Sequence, residues 1–111
     1  MSNTLLNTLW EIQSAALVLT NLFHVVPESA RSEWPADNRL RSYAHAASDF
    51  AEKLPENAPH RDALITWTTN AYEAIKKGRW NDAQSATEQF HGYAADAIQQ
   101  ILNAGWAEVE E

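Results

Sequence analysis

No cysteine occurs in this chain of 111 residues, which excludes a disulfide framework and any zinc held by thiolates. That composition suits a reducing cytoplasm. Three glycines are too few for a glycine-rich phosphate loop, and no serine stands in a Gly-x-Ser-x-Gly elbow. Basic residues are scarce as well: eight Lys and Arg stand against fifteen Asp and Glu, a formal net charge of −7. The densest basic group, KKGR at 76–79, reads as a helix end, where cations suit the carbonyl dipole. A phosphate-backbone binder needs clustered cations, so nucleic-acid binding through a basic surface is not expected. Long apolar runs are missing too. The charge-free stretch 12–27 is interrupted by Gln13, Ser14, Thr20, Asn21 and His24 and is too short and polar to span a bilayer. The opening MSNTLLNTLW lacks the positive flank of a signal peptide. These absences together give the expectation of a cytoplasmic protein with no membrane partner.

The residues that remain point to one helical domain over 1–111. Hydrophobic residues at 45% and charged residues at 21% are enough to build a core and argue against a disordered chain. Apolar residues recur at steps of three and four, with no strand-like alternation of useful length. Leu5, Leu9, Ile12, Ala16, Leu19, Phe23 and Val26 form one unbroken seam, predicting a helix over about 3–26 that Pro27 ends. A second, about 38–54, follows Asp37 as N-cap and carries Leu40, Ala44, Ala47, Ala51 and Leu54. The third, about 58–77, has Leu64, Thr68, Ala71 and Ile75 as its seam and Gly78 as its C-terminal stop. The fourth, about 82–104, opens at Asn81 with Gln84 in a capping-box arrangement. Its seam is Ala83, Thr87, Phe90, Ala94, Ala97, Ile101 and Ala104. Short links after the second and third helices imply antiparallel neighbours. The expected fold is all-α, an antiparallel up-down four-helix bundle, with the longer link at 27–37 crossing an end or folding as a turn of helix.

Within residues 67–83, WTTNAYEAIKKGRWNDA, the positions Trp67, Ala71, Gly78, Trp80 and Ala83 resemble the large, small and turn landmarks of a tetratricopeptide-repeat hairpin. That resemblance implies a helix–turn–helix unit. The unit's closing proline is absent, with Ala95 near its place, and no second copy lies one period upstream, where a repeat needs a neighbour. The hairpin therefore reads as a convergent use of a good helix turn. Residues 39–45, RLRSYAH, resemble the Arg-x4–6-His signature of HEPN-type ribonuclease domains, which are also helical bundles. In that resemblance Arg39 and His45 would carry the chemistry, although Leu40 stands where the family has a polar residue.

Glu88 and His91 form a Glu-x-x-His pair, half of the device with which bundles hold two metal ions. A second half is missing, because His24, His45 and His60 follow Asn21, Ser42 and Asn57 at that spacing. No metal site and no cofactor is expected, and Glu88 and His91 read as an edge or surface pair.

The first helix carries more apolar surface than its seam needs. Leu6, Trp10 and Leu17 line one flank and Val18, Leu22 and Val25 the other, and Glu11 is the only charge before Glu28. Such depletion of charge beside retained aromatics is the composition of an interface core. Five tryptophans add to the oddity. Trp67 and Trp80 bracket the third helix, while Trp34 and Trp106 lie outside the regular segments, as clamps on the bundle ends or as binding anchors. Leu6, Trp10, Leu17, Trp34 and Trp106 are thus the candidate protein-interface residues. The function expected is non-enzymatic: a small acidic bundle that binds a second copy of itself or another protein. Inhibitor, immunity and accessory proteins of bacteria and phages share this build, which is an analogy and not a motif. The alternatives are a bundle that binds a metal or small ligand and, further off, a HEPN-like ribonuclease.

Overall fold

Prolines and one glycine punctuate the chain where the helices stop. The computed structural model describes residues 4–104, and within them the chain forms α1 (Thr4–Val25), α2 (Ala36–Glu52), α3 (Arg61–Lys76) and α4 (Trp80–Asn103), with a short 3-10 turn at Glu28–Ala30. No strand occurs among the described residues. Each helix packs on the two beside it in the ring α1–α2–α3–α4, and α4 closes the ring against α1. Three reversals, the first of them longer than the others, make this an up-down four-helix bundle.

The expected seams are the core except at two ends, where Val26 is half-buried and Ala104 exposed. Leu5, Leu9, Ile12, Ala16, Leu19 and Phe23 of α1 are buried, as are Leu40, Ala44, Ala47 and Ala51 of α2 and Leu64, Ala71 and Ile75 of α3. Phe90, Ala94, Ala97 and Ile101 of α4 complete it. Each fully buried Leu, Ile or Phe contributes about 1.5–3 kcal/mol relative to exposure. Alanine brings little area but lets backbones approach, and the large side chains of α1 and α4 fill the space that remains. Two seam positions are threonines. Thr68 donates its hydroxyl to the Leu64 carbonyl at 2.7 Å, and Thr87 to that of Ala83 at 2.7 Å. Each hydroxyl is satisfied within its own helix, so only the methyl face meets the core.

The ends of the helices differ from the expected caps in three places. The second helix begins at Ala36, behind Pro35, whose backbone already lies in the helical region. Asp37 is therefore inside the first turn, where it accepts a hydrogen bond from Arg41 Nε at 3.0 Å. The third helix begins only at Arg61, because His60 sits in the left-handed region at φ 61°. The fourth begins at Trp80, so Asn81 and Gln84 do not form a capping box; no side chain caps that end. Burial of Trp80 against Phe23, with ring centroids 6.5 Å apart, draws the helix start forward. Gly78 performs as expected, at φ +71°. Its amide bonds the Ile75 carbonyl and the Arg79 amide bonds that of Ala74, a Schellman closure of α3.

The 27–37 link is held by Arg31, which is buried without a carboxylate partner among the described residues. Its Nη2 donates to the Phe23 carbonyl at 2.8 Å and its Nε to that of Val26 at 3.1 Å. The guanidinium also lies over the Phe23 and Trp80 rings at 5.4 and 5.9 Å. Carbonyls at a helix C-terminus carry partial negative charge, so the end of α1 serves as the counter-ion.

Candidate functional site

On α1 the core-facing residues leave an outward face. At 100° per residue, Trp10 and Leu17 share one stripe pointing well away from the seam, two turns apart. Trp10 is 45% exposed and Leu17 56%. Gln13 and Ser14 lie between them, and Glu11 is turned aside by roughly a quarter turn. Leu6, expected on the same flank, is only 4% exposed. It is part of the core because α4 reaches far enough to cover that level of α1, so it drops out of any docking face.

The α1–α4 register extends this stripe across a second helix. Thr20, Phe23 and His24 of α1 and Gln84, Thr87 and Glu88 of α4 line one shallow cavity of about 240 Å³. From that level the two helices run antiparallel, so Leu17 comes level with His91, Trp10 with Ile98 and Leu6 with Leu102, one turn beyond Trp10. Leu102 is 50% exposed on the side of α4 that turns toward α1. It went unmarked in the sequence, where it is hidden between the seam residue Ile101 and the helix end. An apolar residue one step off a seam was the signal available.

Trp34 is 81% exposed, so it clamps nothing. It sits at the end of the 27–37 link, at the tip of the bundle and away from the Trp10–Leu17 stripe. Trp106 lies outside the described residues.

A polar cluster that the sequence did not suggest joins the α2–α3 link to α4. His60 Nε2 lies 2.6 Å from Asp96 Oδ2, and Gln100 Nε2 donates to the same oxygen at 2.8 Å. The His60 ring packs on Tyr93 with centroids 5.0 Å apart. These hydrogen bonds, His60 first and Gln100 next, hold the Asp96 carboxyl below the usual carboxylate range. His60 and Asp96 are thirty-six residues apart, and nothing local in the sequence announces the pairing. The left-handed backbone at His60 costs about 1–2 kcal/mol.

The residues considered for chemistry do not gather. Glu88 is exposed and His91 half-buried, and among the described residues no group of three or more His, Asp or Glu is arranged to hold a metal ion. Arg39 and His45 are both exposed and, six residues apart on α2, point about 120° from each other. His45 instead faces Asp49 at 3.4 Å and meets Tyr72 edge-on. Between α3 and α4 a groove of about 470 Å³ is lined by Trp67, Asn70, Glu73, Lys77, Arg79 and Asp82 among others; its charges are mixed in sign. No helix among the described residues is long and apolar enough to cross a membrane. No protein-family model, curated protein or solved structure matches this chain, so its function must be read from its own residues.

Proposed function

We propose that this protein is a non-enzymatic docking module that binds protein through the α1–α4 face. The observation that carries the reading is the exposure of Trp10 and Leu17 on one outward stripe after the bundle has closed. A central tryptophan in a neutral surround is the type of residue that dominates interface energetics. Leu102 widens the patch onto α4. The α1 stripe itself holds no charge and Glu88 borders it on α4, which favours an apolar contact over a charge-steered one. Inhibitor, immunity or accessory roles fit the same build. Photo-cross-linking in cells tests the reading, with a benzophenone amino acid at Leu17 and, as control, at the exposed Asp49 of α2. An adduct with an identified protein, this chain or another, is expected from Leu17 only and should disappear with Trp10→Glu. No adduct at Leu17, or one indifferent to Trp10→Glu, would remove the basis for the proposal.

A further inference from the structure

We infer that the occupant of the α1–α4 face is a second copy of the chain, paired antiparallel through α1 about a two-fold axis at residues 13 and 14. This rests on the docking reading above and adds the identity and geometry of the partner. The spacing supplies the first argument. Trp10 and Leu17 lie symmetrically about the midpoint of Gln13 and Ser14, each roughly 5 Å along the helix from it. An antiparallel copy therefore sets Trp10 against Leu17 of the other chain and Leu17 against its Trp10, an isologous contact in which both large side chains are used twice. Ser14, small and exposed, admits close approach at the axis. The amide of Gln13 meets the Ser14 hydroxyl across it, so the two polar groups at the centre are paired.

Charge supplies the second argument. A chain of net charge −7 repels its own copy wherever acids meet. Asp49 and Glu52 on α2, Asp62 and Glu73 on α3, and Asp82, Glu88 and Asp96 on α4 all oppose self-contact. The α1 stripe holds no charge, and Glu11 is turned aside. Along this stripe the described residues let two copies meet without like-charge opposition, with Glu88 of α4 at its border, and the stripe offers nothing to a basic partner.

Area supplies the third. A helix of 22 residues is about 33 Å long, and two helices side by side are about 20 Å wide. The face thus projects roughly 660 Å², near the ~800 Å² per partner of a standard specific interface. Trp10 and Leu17 supply its apolar area on either side of the polar pair at the axis.

Light scattering across a concentration series from micromolar to millimolar should show twice the monomer mass. Trp10→Glu should raise the dissociation constant by about thirtyfold or more, with helical content unchanged because the residue is exposed. Leu17→Glu carries the same expectation, so failure of one variant to fold leaves the other. Because the chain lacks cysteine, Ser14→Cys introduces a sole thiol, which should oxidise to a disulfide-linked dimer, whereas Asp49→Cys should not. A monomer throughout the series overturns the self-pairing, and the docking reading then stands or falls on whether Leu17 cross-links a different protein. A dimer that links through Asp49→Cys and not Ser14→Cys overturns this geometry.

Discussion

Two glycines show how differently one residue type can serve. Gly78 adopts φ +71° in the Schellman turn, where a Cβ is strained whatever the free space, so Gly78→Ala should cost about 1–2 kcal/mol. Gly92 is exposed in the interior of α4, and an added Cβ would meet nothing within 4 Å. Gly92→Ala should therefore stabilise by about 1 kcal/mol, since only helix propensity is at stake. Urea titration of the two variants checks the opposite signs. Asp96 gives a pH prediction. Its folded pKa is lowered by His60 and Gln100, so its contribution is complete above the unfolded value near about 3.9 and is lost as pH falls through the folded one. Stability should drop on acidification below about pH 4, and Asp96→Asn should flatten that part of the slope. An unaltered slope would show that the clasp does not form in solution. Gly78 was legible in the sequence because its constraint is local, while His60–Asp96 was not, because it depends on two segments meeting across the fold.

At the level of elements, the three- and four-residue steps foretold all four helices and nearly every buried seam position. Helix starts were less legible. Asp37 and Asn81 have the right chemistry for caps, but Pro35 and the burial of Trp80 began those helices earlier, since tertiary packing outweighs a cap worth about 1 kcal/mol. The candidate interface was half legible for a similar reason. Periodicity showed a surplus of apolar flank on α1 but not how far α4 would reach, so Leu6 looked available and Leu102 went unseen. Composition of the seams also sets their relative strength. Within α2 only Leu40 exceeds alanine in size among the buried residues Leu40, Ala44, Ala47 and Ala51. Its attachment rests on the least apolar area, so α2 should show the lowest hydrogen-exchange protection of the four helices. Greatest protection in α2 would contradict that ranking. Arg31 belongs to this scale as well, because it ties the link to the last carbonyls of α1. Arg31→Ala should lower the unfolding free energy by about 2 kcal/mol in a denaturant titration.

For the whole molecule, the charge of −7 and the neutral α1 face work against each other during association. Salt screens the general repulsion and leaves the apolar contact intact. Self-association should therefore tighten as ionic strength rises, the reverse of a charge-driven interface, and sedimentation at low and high salt reads the difference. Trp34 gains a meaning at this scale. It stands on the tip of the bundle at the C-terminal end of α1, and antiparallel copies carry that tip in opposite directions. The two indoles would then be separated by about 38 Å along the common axis, one at each extremity. A pair joined in this way would be a double-ended rod with an exposed tryptophan at each extremity.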